Sequence, residues 1–273
     1  MLYKRAISIS RPMLRNTRKS LFLFVALFLS ILIGGCVSLN AYLYPEGKSG
    51  SKDTLPVKLS ELIEMAEYCD EAYDKATEEN KLYEIRNDEF SYHVKQSEGV
   101  TILIFRGTSN MKNVRTDIDM RFWKDEDLSD KWGERVSLHR GFRDASLVIM
   151  KDIKENYRLE KTVYLTGHSL GGAIAQIMGL WLSMEGYNVQ IYTFGSPKVS
   201  TFYFGSKPSH YRVALRNDPV PFVPMYPFLH FGTFIDPETL EWMEGGETDR
   251  DSFTEIDGRD HSIQGYLDVL KEK

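Results

Sequence analysis

Apolar positions change their spacing several times along the chain, and each change predicts an element. From Leu59 to Tyr73 they recur at helical spacing (Leu59, Leu62, Ile63, Ala66, Ala72), with Asp70 and Glu71 on the other side, so an amphipathic helix is expected. Leu82 to Arg86 and Phe90 to Val94, joined around Asn87-Asp88, read as a hairpin or two adjacent strands. Val100 to Phe105 is a continuous Val-Thr-Ile-Leu-Ile-Phe run, the pattern of a buried strand. A helix is expected at Phe142 to Tyr157, a strand at Thr162 to Leu165 and a helix from Ala173 to Glu185. Val189 to Phe194 and Tyr211 to Leu215 read as strands, and Ile263 to Lys271 as a closing helix. Strands alternating with helices of this length predict an α/β fold of α/β-hydrolase type, with a mainly parallel central sheet and helices on both faces.

The first residues follow another pattern. Basic residues up to Lys19 precede Leu21 to Ile33, an apolar run broken only by Ser30, and then Gly34-Gly35-Cys36. A basic region, a short apolar core and small residues describe a secretory signal. Ile33-Gly34-Gly35-Cys36 also resembles the bacterial lipobox, in which the signal is cut before a cysteine whose sulfur carries a diacylglycerol, making Cys36 the lipid attachment point. The alternative is an uncleaved membrane-spanning helix from Leu21 to Leu39, since no charge falls between Lys19 and Glu46. Either way the body is expected to be exported and membrane-anchored. The expected organisation is a signal peptide at 1–35 (or an anchor to about residue 39), a tether at 36–55 that includes Gly47-Lys48-Ser49-Gly50-Ser51-Lys52, and one catalytic domain at 56–273.

Charge and cysteine content narrow the chemistry. Six of the 34 basic residues lie in the first 35, which hold no acid, so the remainder carries 28 basic against 39 acidic residues, a net charge of −11. That argues against a nucleic-acid partner. Only Cys36 and Cys69 are present, and no His-Glu-x-x-His or paired Cys-x-x-Cys suggests a metal.

The sharpest signal is Gly167-His168-Ser169-Leu170-Gly171, set between a predicted strand and a predicted helix. That context is what a nucleophile elbow requires, with the glycines allowing the tight turn and Ser169 exposed upon it. A serine hydroxyl needs a base, and the base a carboxylate. Asp218, in the loop after the strand ending at Leu215, is the candidate acid; Asp236, Asp249, Asp251, Asp257 and Asp260 are its competitors. His261, just ahead of the last helix, is the candidate base and completes the order Ser, Asp, His; His230 competes, although its apolar neighbours suit a half-buried structural residue. His168 is expected to point away from the site. For the oxyanion, the backbone N–H of Leu170 should be one donor, and the loop Arg106-Gly107-Thr108 the other, with Thr108 able to donate from backbone and hydroxyl.

Assembled in order, Phe105-Arg106-Gly107-Thr108, His139-Arg140-Gly141-Phe142, Gly167-His168-Ser169-Leu170-Gly171-Gly172, Thr193-Phe194-Gly195-Ser196-Pro197-Lys198-Val199, Asn217-Asp218-Pro219-Val220-Pro221 and Asp260-His261 resemble the class 3 lipases. This α/β-hydrolase family includes the fungal triacylglycerol lipases. The resemblance implies a serine hydrolase of lipid esters with Ser169, Asp218 and His261 as triad, Thr108 and Leu170 at the oxyanion hole, and no cofactor. Ser109 to Ile118 aligns with the lid helix, but its apolar stripe is only Met111, Val114 and Ile118, which leaves open acylglycerol, phospholipid or small-ester substrates. Phe222, Val223, Met225, Tyr226 and Phe228 form an apolar run that suits either an acyl groove or core. A membrane-tethered binding module without turnover is the rival from another class, disfavoured by the full set of reactive residues.

Overall fold

A computed structural model describes residues 47–74, 83–85, 88–107, 121–205, 207–245 and 261–273, which belong to one unit, Glu46–Lys273. Its strands are β1 (Ser49–Gly50), β2 (Tyr83–Ile85), β3 (Asp88–Ser97), β4 (Val100–Arg106), β5 (Phe122–Lys124), β6 (Ser137–His139), β7 (Thr162–His168), β8 (Asn188–Phe194), β9 (Ser209–Val213), β10 (Thr233–Ile235) and β11 (Trp242–Glu244). The helices are α1 (Leu59–Asp74), α2 (Glu126–Trp132), α3 (Arg140–Asn156), α4 (Leu170–Met184) and α5 (Ile263–Lys271).

Nine of these strands form one sheet in the order β1-β11-β10-β9-β8-β7-β4-β3-β2. The middle five, β4, β7, β8, β9 and β10, run parallel, and antiparallel strands flank them at both edges. Alternate residues of each central strand face opposite layers. Leu103, Phe105, Val163, Leu165 and Ile191 pack with Ile149 of α3 and Ile174 and Ile177 of α4. On the other face Ile102, Ile104, Phe194 and Val213 pack with Leu62, Met65 and Ala66 of α1 and with Tyr266 and Leu267 of α5. The expected α/β architecture, a mainly parallel sheet covered on both faces, is therefore what the chain adopts.

Helix α4 is apolar nearly all round because twelve of its 15 residues are buried, the composition of a central rather than a surface helix. Its polar exception, Gln176, donates to Ser196 Oγ (2.7 Å) and to the Pro197 carbonyl (3.1 Å), fastening the helix to the loop after β8. Several boundaries move relative to expectation. β7 continues through His168 and α4 begins at Leu170, so the turn between them is the single residue Ser169. The short strands β5, β6, β10 and β11 and helix α2 were not predicted.

The ends of the central strands are in step. Phe105 pairs with Gly167, His168 with Phe194, and Phe194 with Val213. This brings the loops after β4, β7, β8 and β9 to one edge of the sheet, their carboxyl ends, where ligands bind in such folds.

Candidate active site

The turn at Ser169 is where the chain gives up regular geometry. Ser169 has φ 55 and ψ −129, an uncommon conformation for a residue with a side chain. It is held there from both sides. The Ser169 N–H donates to the Phe194 carbonyl (3.0 Å) and the Gly172 N–H to the Ser169 carbonyl (3.0 Å). The flanking glycines are required by close approach: a Cβ on Gly171 would lie 2.1 Å from the Phe105 carbonyl oxygen, and one on Gly167 would lie 2.4 Å from the Gly171 backbone.

This turn aims Ser169 at His261. Ser169 Oγ lies 2.9 Å from His261 Nε2, and His261 Nδ1 lies 2.7 Å from Asp218 Oδ2. With Nδ1–H donating to the carboxylate, Nε2 is left as the acceptor for the serine O–H. The carboxylate has two further donors: Tyr266 O–H to Oδ2 (2.7 Å) and the Val220 N–H to Oδ1 (2.8 Å). The Tyr266 oxygen in turn accepts from the Leu215 N–H (3.1 Å), so α5 and the end of β9 fix the acid together. Such bonding is what permits a fully buried carboxylate. The structure thus brings together Ser169, Asp218 and His261, three residues more than 40 positions apart in sequence.

Other expectations are corrected. Ser169 is not exposed on its turn but 0% accessible, and His261 only 3%, because the hydroxyl is directed inward against the imidazole. His168 does not point away. Its ring stands 4.6 Å from that of His261, since β7 runs on to the residue before the nucleophile and turns this side chain toward α1 and α5. Of the competitors, Asp236 is taken by the Arg216 guanidinium (2.9 Å) and by the N–H groups of Glu238 and Thr239. His230 is fully buried rather than half-buried and bonds the Pro221 carbonyl (2.6 Å). Asp249, Asp251, Asp257 and Asp260 lie outside the described residues, as do Thr108, Met111, Val114, Ile118 and Cys36.

Leu170 and the stem of the expected oxyanion loop do meet. A Cβ on Gly107 would lie 3.2 Å from the Leu170 nitrogen and 3.1 Å from that of Gly171, a tight contact that shows how closely the end of β4 passes the elbow. The apolar run after Asp218 divides. Phe228 is core, in ring contact with Phe122 and His139. Phe222 and Val223 are half-buried, whereas Met225 (70%) and Tyr226 (67%) are exposed. Among the described residues no group of three or more His, Cys, Asp or Glu side chains is placed to hold a metal ion.

Two site residues escaped the sequence reading. Gly195 has φ +56, and a Cβ there would lie 2.4 Å from Asp218 Oδ2 and 3.0 Å from His261 Nδ1. Its signal was present in Thr193-Phe194-Gly195-Ser196, a glycine directly after a strand. Tyr266 has no local signal, because its partner Asp218 is brought to it only by the packing of α5.

Similarity to known proteins covers Ser169 and Asp218 of this site. Residues 102–228 match the family described as Lipase (class 3). Secreted mono- and diacylglycerol lipase 1 of Fusarium solani is 32% identical over 154 residues, 51% of this chain and 45% of that protein. A lipase of Rhizopus niveus is 30% identical over 204 residues, 67% of this chain and 50% of that protein. The chain spans about half the length of the curated relatives it matches. Among solved structures, the lipase from Rhizopus microsporus var. chinensis superposes with a TM-score of 0.57 at 20% identity, over 81% of this chain and 91% of that one, a likeness of fold.

Three buried histidines generate a pH prediction. Burial, more than any neighbour, lowers the affinity of His168, His210 and His230 for a proton; His261 adds to the effect at His168 and Arg212 at the other two. His210 is brought down to about 3. Unfolded histidines take up a proton near pH 6.5 while these folded ones stay neutral, so stability must fall as the pH drops below about 6.5. The slope is up to about 1.4 kcal/mol per pH unit for each histidine. Urea unfolding between pH 7.5 and 5 should show this loss, and a stability independent of pH across that window would contradict it.

Proposed function

The chain belongs to the class 3 lipase family, and from that premise we propose that it is a serine hydrolase of acylglycerols or related lipid esters. One observation carries the reading: the unbroken run of hydrogen bonds from Asp218 through His261 to Ser169, at a strained strand-to-helix turn.

His261 takes the proton from Ser169 as Oγ attacks the ester carbonyl, and returns it to the leaving alcohol. Asp218 holds the imidazole in the Nδ1–H tautomer and stabilises the imidazolium as it forms. The tetrahedral oxyanion falls to the backbone N–H of Leu170, at the first turn of α4 where helix N–H groups are free and the dipole is positive, and to Thr108. Water, activated by the same histidine, then releases the fatty acid from Ser169. No step calls on a cofactor.

Acylglycerols are favoured over small polar esters by the surface that follows the acid. Beyond Asp218 the chain presents Met225 and Tyr226 to solvent, and Phe122 and Trp123 are exposed on the strand whose Phe122 packs against Phe228. The Fusarium solani relative is named a mono- and diacylglycerol lipase, which supports partial glycerides. Met111, Val114 and Ile118 are assigned to the lid on the resemblance alone. We further propose that residues 1–35 export the body, residues 36–55 tether it and residues 56–273 form the catalytic domain, with Cys36 carrying the membrane-anchoring lipid; the relative's description as secreted supports export. Among the described residues no helix is long and apolar enough to cross a membrane.

Two measurements test these readings. The protein should release fatty acid from monoacyl- and diacylglycerol, and Ser169→Ala should lower that rate by about 10⁴ or more with the fold retained. Undiminished release by Ser169→Ala would remove the assignment from this site. Mass spectrometry of the mature N-terminus should find an acylated Cys36. An intact Met1 with unmodified Cys36 would leave the uncleaved helix in its place.

A further inference from the structure

The expected bystander, His168, lies at the centre of the site. Its ring is buried between three aromatic neighbours: His261 at 4.6 Å, Tyr73 edge-on at 5.8 Å and Tyr266 edge-on at 6.1 Å. One of these is the candidate base and another holds the candidate acid. The third, Tyr73, comes from the end of α1, which is fastened to β7 by the Thr166 hydroxyl donating to the Met65 carbonyl (3.1 Å).

Tyr73 reaches the other half of the site. Its oxygen lies 3.1 Å from His168 Nδ1, and its ring lies beside Arg106, at the stem of the oxyanion loop. The Arg106 guanidinium lies over its ring at 5.6 Å. With the phenol O–H given to Nδ1, His168 is the Nε2–H tautomer. Burial keeps both partners in these forms, raising the Tyr73 phenol and holding the His168 imidazole well below the usual histidine range.

A purely structural role explains this poorly. His168 Nε2 is buried without a hydrogen-bond partner among the described residues, a cost that an apolar side chain in the same space would avoid. What an apolar residue could not do is accept from Tyr73 while pressing a neutral ring against the imidazole that becomes charged.

We propose that Tyr73 and His168 are positioning residues of the hydrolytic reaction, a hydrogen-bonded pair that couples the oxyanion-loop stem at Arg106 to the orientation of the His261 imidazole. Tyr73 sets the loop stem and the tautomer of His168; His168 in turn backs the His261 ring so that Nε2 stays on Ser169 Oγ. The pair touches neither substrate nor reacting atoms, and the inference rests on the hydrolase reading above.

The test uses the full chain and a soluble short-chain p-nitrophenyl ester. Tyr73→Phe, which removes only the hydroxyl, should lower kcat about tenfold while KM stays within about twofold, since geometry and not binding is lost. His168→Phe should do the same, and the double variant should lose far less than the product of the two, because both changes cut one hydrogen bond. Near-ultraviolet circular dichroism checks that each variant is folded; if His168→Phe is not, Tyr73→Phe alone decides. A folded Tyr73→Phe with unchanged kcat, a loss confined to KM, or losses that multiply in the double variant would overturn the proposal while leaving the hydrolase reading intact. An unmodified chain that cleaves no ester would overturn both.

Discussion

The site depends on one constraint: a backbone crossing at the end of β7 that only glycine permits. Gly171 passes the Phe105 carbonyl so closely that any Cβ would overlap it, and Gly167 passes the backbone of Gly171 in the same way. This crossing locks the end of β4, the end of β7 and the start of α4 into one rigid knot. Ser169 is the residue left between them, and its positive φ follows from that position. A conformation that costs of order 1–3 kcal/mol persists only when the surroundings over-determine it, as here. The consequence is chemical, since the same turn sets the serine hydroxyl against an imidazole and the Leu170 N–H at a helix start.

A third glycine completes the arrangement from the neighbouring strand. At Gly195 a positive φ and the missing side chain leave the space that Asp218 Oδ2 and His261 Nδ1 occupy. The acid is thereby packed between β8, β9 and α5, with all its bonds supplied by groups that cannot move independently. The positions of nucleophile, base and acid are therefore properties of the sheet edge and the α5 packing, not of flexible loops.

Much of this was legible in the sequence, for identifiable reasons. The buried strand β4 announces itself as a nearly unbroken apolar run, and α1, α3 and α5 as amphipathic repeats. Ser169 and His261 were legible because each adjoins a strand or helix that the pattern predicts, and Asp218 because it lies in the loop after one. Strands of three residues such as β5 and β10 were not, since three residues carry no period and Phe122 and Trp123 are apolar yet exposed. His168 was misread for a different reason. Local turn geometry gives the direction in which a side chain leaves the strand, but what fills that space is decided by α1 and α5, which lie about 100 residues away on either side. Tyr73 and Tyr266 were invisible on the same ground.

The central claim is that the strained turn presents Ser169 as an activated nucleophile. An alkyl fluorophosphonate tests it without any assumption about head group or chain length, because the reagent reacts with a serine only when a base and an oxyanion site act on it together. Peptide mapping by mass spectrometry should find one adduct per chain, on the peptide that carries Ser169, and none when His261 is replaced by alanine. Failure to label the folded protein, or an adduct on another residue with Ser169 untouched, would contradict the account.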